Sequence, residues 1–342
     1  ARIVIDNDNP ATYITSGSSG NYTLTDGVLT APSHQSHYLC GSSDHTGCTS
    51  EACRKATSEV NFEMWEKSDS LPTDSGNYYL TKNVKLSTGQ TIKEDVTLCL
   101  NGYKIEAASN ALDNIQVYGT LTITDCVGSG SIVGVDKKHT GVNIQSNAGT
   151  LNLYGGTIKN FAKGVVNIGT FNMYGGKLTK NSQGVSNQRT FNMHDGTITE
   201  NSGAYNGAGV SNSGSFTMSG GDITNNTTSQ GSGKGYGGGV YNGGYFKLTD
   251  GTITGNTAEN DGGGVYSGSD STYIYGGSIT SNNAKRGDDV YAASNCGVHL
   301  KGNVTIGSYR SNGLLTNTVH YIDGALDGNK ILLSVPGGTT ND

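Results

Sequence analysis

The chain repeats one phrase between Gly141 and Val304: Gly-Val, a short strand, Phe-x-Met, Gly-Gly, Ile-Thr and Asn. Copies read GVVNIGTFNMYGGKLTKN from Gly164, GVSNQRTFNMHDGTITEN from Gly184 and GVSNSGSFTMSGGDITNN from Gly209. They continue as GVYNGGYFKLTDGTITGN from Gly239 and GVYSGSDSTYIYGGSITSN from Gly264. Such self-similarity means stacked units, each able to bury its apolar face only against its neighbours. The Gly-Val anchors at 141, 164, 184, 209, 239 and 264 are separated by 23, 20, 25, 30 and 25 residues. The strand phrases hold constant while the gaps vary, so the length differences belong to loops. The clearest insertion is TTSQGSGKGYGGG, residues Thr227 to Gly239.

Inside each copy the apolar residues alternate with polar ones, which is the period of a strand and not of a helix. The pattern predicts three inward columns. Phe171, Phe191, Phe216 and Phe246 form one; Met173, Met193, Met218 and Leu248 the second; Leu178, Ile198, Ile223, Ile253 and Ile279 the third. Gly pairs such as Gly175-Gly176 and Gly220-Gly221 mark corners between strands. Asn187, Asn212 and Asn242 fall in phase with the inward Val, and Asn181, Asn201, Asn226, Asn256 and Asn282 close the third strand. Stacked amides satisfy one another at a bend, so both columns read as corner-formers. Three short strands per coil make an all-β fold, a right-handed parallel β-helix. The LxxLxLxxN core of leucine-rich repeats is missing, and propeller blades need about 40 residues.

Composition agrees with a thin solenoid. A hydrophobic content of 33% is low for a thick core but sufficient for a narrow apolar column, and Gly 53 with Pro 4 indicates many tight turns without a collagen period. The formal net charge of -6 argues against nucleic acid, for no basic stripe is present to neutralise phosphates. No apolar run reaches the roughly 20 residues of a membrane-spanning helix. ARIVIDNDNP at the N-terminus has no signal-peptide pattern, so an exported chain must have lost its signal or begin inside a longer protein.

The phrases resemble the right-handed parallel β-helix segments of large adhesin-like cell-surface proteins from gut Gram-positive anaerobes, which carry GGTIT-N and GGGVY repeats in tandem. The section Trp65 to Ile105 looks like the lead-in that precedes such repeats. The similarity covers roughly Trp65 to Val304. It implies an extracellular, cell-surface location and further domains in a longer chain. More broadly the fold is similar to the pectin-lyase-like superfamily, which contains polysaccharide lyases and glycoside hydrolases, although fold alone does not carry function. By phrase alignment Leu98, Leu100 and Ile105 take the Phe, Met and Ile places. The expected division is therefore a cap over residues 1–95, a β-helix of about nine coils over 96–335 ending in a strand at Ile331 to Val335, and a tail at 336–342.

Several sets of residues are candidates for chemistry. SHQSHYLCGSSDHTGCTSEAC, Ser33 to Cys53, supplies His37, Cys40, Cys48 and Cys53 for a structural zinc, with His45 as alternative fourth ligand. A disulfide among its three Cys is the competing reading, disfavoured in an anaerobic habitat. Cys99 and Cys126 read as buried thiols that become neighbours one coil apart. No organic cofactor is indicated, whereas Asp288 and Asp289 with Glu259 and Asp261 offer a calcium site.

An enzyme on this scaffold needs paired carboxylates in one column. Asp195 and Asp250 share the corner column that other coils fill with Gly, two coils or about 9.6 Å apart at the strand spacing. Asp-Gly is also ordinary turn chemistry. Aromatics are more suggestive: Tyr241, Tyr266 and Tyr291 occupy the outward place after Gly-Val, and Tyr154, Tyr174 and His194 form a second outward column. Flat aromatic rows suit stacking against sugar rings, and equally stabilise a sheet. The expected function is non-catalytic binding of a glycan or a host or community protein. The alternatives are a carbohydrate-active enzyme and a passive stalk.

Overall fold

The computed structural model describes residues 60–108, 113–203, 206–229 and 235–311, Leu39, and the backbone of the strands Ile3–Val4, Thr23–Thr25, Val28–Thr30 and Tyr321–Leu326. Among the described residues every regular element is a strand. The fold is a right-handed parallel β-helix whose coils pair in parallel through three faces.

The first face is a ten-stranded sheet running from Gln90–Ile92 to Tyr309–Ser311. Val142, Val165, Val185, Val210, Val240, Val265 and Val290 stand in register along it. On the second face Leu121, Leu151, Phe171, Phe191, Phe216 and Phe246 are aligned, with Ile123, Leu153, Met173, Met193, Met218 and Leu248 two residues on. The third carries Ile105, Ile132, Ile158, Leu178, Ile198, Ile223, Ile253, Ile279 and Ile306. All three expected columns are present and buried. Successive Phe rings stack at 4.7, 4.6 and 5.0 Å between centroids. Each such fully buried side chain contributes about 1.5–3 kcal/mol of hydrophobic stabilisation. In four coils the second and third faces are one ten-residue strand, such as Thr170–Thr179, bent at its Gly pair. Gly176 adopts φ 75° at that bend, a conformation a side chain resists.

Two buried amide ladders seal the corners. Asn167, Asn187 and Asn212 each donate Nδ2 to Oδ1 of the next Asn at 2.7 Å, and Asn242 ends the row on Thr272 Oγ1 at 2.9 Å. The second ladder is more demanding. Asn181, Asn201, Asn226 and Asn256 each give both their backbone N–H and their Nδ2 to Oδ1 of the Asn one coil on, at 2.9–3.1 Å. Each Nδ2 also reaches a backbone carbonyl, for example Asn226 to Ile198 at 2.9 Å. Asn282 closes the row on the buried carboxylate of Asp289, donating N and Nδ2 at 3.0 and 2.9 Å. The residue before each ladder Asn sits in the left-handed region: Lys180, Glu200, Asn225 and Ser281 have φ between 54° and 59°, and Gly255 has 66°. That reversal turns the following amide inward.

The structure revises two alignments. Val96 and Leu98, not Leu98 and Leu100, take the Phe and Met places, since they pair with Leu121 and Ile123. The corner of that coil is longer, nine positions from Val96 to Ile105 against seven from Phe171 to Leu178. Counting back from Ile105 slips by two, which preserves the inward parity and so hides the slip. Parallel pairing also begins before Val96: Glu63–Trp65, Gly76–Leu80 and Asp95–Cys99 are successive neighbours. A strand at Tyr321–Leu326 pairs with Val298–Gly302, whereas Ile331 to Val335 and the tail at 336–342 lie outside the described residues. Three N-terminal strands, Ile3–Val4, Val28–Thr30 and Thr23–Thr25, form a separate antiparallel sheet.

Asn226→Ala removes the acceptor of two Asn201 donors and the donor to Ile198. The expected loss is about 3 kcal/mol or more, because buried groups are left unpaired. Glu200→Gly, in the neighbouring left-handed position, should gain up to about 1 kcal/mol. Urea denaturation of the two variants checks both signs, and equal destabilisation would contradict this account of the corner.

Candidate functional site: the outward aromatic rows

Strand alternation sends every second side chain outward, and stacking in register puts equivalent outward residues above one another. On the first face this produces Tyr241, Tyr266 and Tyr291 in consecutive paired strands. Their rings stack at 5.3 and 5.7 Å with interplanar angles of 7° and 15°. Tyr236, delivered by the loop insertion, leans on Tyr266 at 4.9 Å. Glycines two residues after Tyr241 and Tyr266 leave the rings room to lie against backbone: a Cβ on Gly268 would meet the Tyr266 ring at 3.1 Å.

Tyr291 corrects the expectation of an exposed row, for it is only 2% exposed. The Arg286 guanidinium lies 5.1 Å from its ring centroid, held by paired bonds of 2.6 and 2.7 Å to buried Asp261. Arg310 stands opposite Tyr291 in the next strand. The accessible part of this row is Tyr241 and Tyr266, both half-buried.

The second row is confirmed on the face outside Phe-x-Met. Tyr154 and Tyr174 stack at 4.6 Å, and Tyr174 and His194 at 4.8 Å with a 5° interplanar angle. His194 Nδ1 lies 3.1 Å from Ser219 Oγ. Two residues earlier on the same strands runs a half-buried amide row, Asn192 to Asn172 to Asn152, with Nδ2 to Oδ1 bonds of 2.9 Å. Thr150, Thr170 and Thr190 lie two residues earlier again and in register. Rings, amides and hydroxyls therefore run side by side along the coil axis.

A third cluster escaped the sequence reading. Tyr273 stacks on His299 at 4.4 Å and leans on Tyr245 at 5.2 Å, with Tyr275 edge-on at 5.7 Å. Lys247 and Lys301 Nζ lie 5.4 and 6.0 Å from the Tyr275 centroid. The signal was available in STYIYGG, whose Tyr residues flank the Ile that replaces Met.

Asp195 and Asp250 both sit at the bend of their ten-residue strands, where a register shift sets Asp195 opposite Tyr174 and Asp250 opposite Ser219. Each carboxylate accepts the N–H of the glycine that follows it, at 2.7 Å. Both thus act as turn residues. The four acids considered for calcium are each engaged separately: Glu259 with Lys285 at 2.9 Å, Asp261 with Arg286, Asp288 with the Ala284 N–H at 2.9 Å, and Asp289 with the Asn ladder. Among the described residues no three His, Cys, Asp or Glu converge. His37, Cys40, His45, Cys48 and Cys53 lie outside the described residues, so the zinc and disulfide readings stand as they were.

Burial first, then the neighbouring Tyr241 and the Asp261 carboxylate, push the Tyr266 phenol up to about 12. Burial also raises Tyr174. Comparison with protein-family models, curated proteins and solved structures finds no match to this chain.

A phenol that ionises later in the fold than in the unfolded chain stabilises the fold fully below its unfolded value, and that contribution disappears as pH rises through the folded value. Stability should therefore fall between pH 10 and about 12. The fall should be shallower in Tyr266→Phe. Denaturant midpoints across that window test it, and an unchanged slope would contradict the assignment.

Proposed function

We propose that the chain is an extracellular, cell-surface β-helix of adhesin-like kind that binds an extended glycan through its outward aromatic rows, without catalysing a reaction. The observation that carries this reading is the pair of stacked rows, Tyr241 with Tyr266 and Tyr154 with Tyr174 and His194. The faces of Tyr rings suit the apolar faces of sugar rings, and the adjacent amide and hydroxyl rows suit their hydroxyls. Within each row the next coil offers a ring again about 4.8 Å further on, over two coils in the first row and three in the second. Weak contacts repeated along a rigid axis favour a polymeric ligand through avidity. Surface proteins bearing such glycans are the natural partners.

Asp195 and Asp250 each accept the N–H of the glycine that follows, which fits a corner role under this reading. A carbohydrate-active enzyme, with Asp195 and Asp250 as its acids, is the alternative reading.

Binding to immobilised neutral and acidic polysaccharides and mucins should be detectable for the native protein. It should weaken roughly tenfold or more in Tyr241→Ser/Tyr266→Ser or in Tyr174→Ser/His194→Ser. Reducing-end assays on the same samples should show no product. Binding unchanged in both double variants would remove the rows as the site. Product release abolished by Asp195→Ala would make the protein an enzyme.

A further inference from the structure

We propose that Cys99 and Cys126 form an oxidation site at which a small disulfide oxidant converts two thiols of neighbouring coils into an intramolecular cross-link. The strand Asp95–Cys99 runs in register with Thr120–Thr124, so that Cys99 lies opposite Thr124, and Cys126 follows two residues later. The two sulfurs approach to 3.4 Å, with Cys99 donating to Cys126. Cys126 Sγ in turn lies 3.6 Å from Asn101 Oδ1.

Backbone on both sides holds this approach. The buried carboxylate of Asp125 accepts the Gly102 N–H at 2.8 Å and the Gly130 N–H at 2.6 Å, tying together the corners that follow Cys99 and Cys126. Thr124 Oγ1 is bonded to the carbonyl of Leu39. The pair is thus placed by the coil register and by a buried anchor, not by two mobile side chains meeting.

The two thiols differ in access. Cys99 is fully buried, whereas Cys126 is half-buried. The bond to Cys126, with burial, raises the Cys99 thiol far above its ordinary range. Cys126 is therefore the entry point and Cys99 the resolving group. The Cys126 thiolate attacks one sulfur of the oxidant, and the departing thiolate takes up the proton that Cys126 released. Cys99 then attacks Cys126 Sγ, displacing the second oxidant thiolate, which takes the Cys99 proton. Two electrons and two protons pass to the oxidant, which leaves as two thiols. The product joins coils at positions 27 residues apart. Constraining the unfolded chain in this way stabilises the fold.

Incubating the native full chain with oxidised glutathione, followed by peptide mapping without reduction, tests this assignment. Peptides carrying Cys99 and Cys126 should be recovered joined, with the mass lower by two hydrogen atoms. The thermal midpoint should rise by roughly 5 °C or more over the reduced protein. Cys126→Ser should abolish that rise and leave Cys99 unmodified, while Cys296→Ser should leave the rise intact. Recovery of Cys126 as a lasting mixed disulfide with glutathione would overturn the proposal. So would its linkage to Cys40, or retention of both thiols by a bound metal. The mapping of the unmutated chain decides the matter even if a variant fails to fold.

Discussion

The hydrogen bond between one asparagine amide and the same amide one coil away is the constraint on which the rest depends. A coil of about two dozen residues has no core of its own, and its corners expose backbone groups that must be paired when buried. In the second ladder a single Oδ1 receives two donors from the preceding coil while its own Nδ2 serves the next coil and a backbone carbonyl. A slip of one residue between coils would strand all of these groups at once. Register is therefore set at the corners, and the Phe, Met and Ile columns align as a result. The cost is one left-handed residue before each amide.

Uniformity inside leaves the outside free to vary without disturbing the fold. Outward positions of the same strands carry Tyr, His, Asn, Thr, Ser or Lys in different coils, and the register stacks whatever is placed there. An aromatic row thus needs only a substitution at one position in successive copies. The price of proximity shows at Tyr291, where stacking continues but Arg286 and Asp261 cover the ring. Loops of unequal length accordingly decide which parts of a row reach solvent, just as the insertion before Gly239 brings Tyr236 against Tyr266.

The columns were legible because strand period and repeat period are both visible in the residues. Phe171 to Phe246, Ile198 to Ile279 and both asparagine rows lie where the spacing puts them. Val96 was missed because its coil has a longer corner, and a slip of two leaves the alternation intact. The burial of Tyr291 was not legible, since it depends on a guanidinium from a loop whose path no periodicity reports. The Tyr273, Tyr275 and His299 cluster was hidden by the loss of the Phe-x-Met signature in its coil. The closeness of Cys99 and Cys126 followed from the coil spacing, but the Asp125 anchor that fixes it did not.

Every amide of the longer ladder points the same way, from Phe161, whose N–H reaches Asn181, to the carboxylate of Asp289. Each interior coil consequently offers an acceptor on one side and a matching donor on the other, identical to what it meets. Whole coils are interchangeable parts under this rule, and gene segments encoding them can be gained or lost with little change at the junction. Molecular reach then becomes a heritable quantity adjusted in steps of about 4.8 Å, and strands go on stacking past the Asp289 carboxylate where the amide ladder ends.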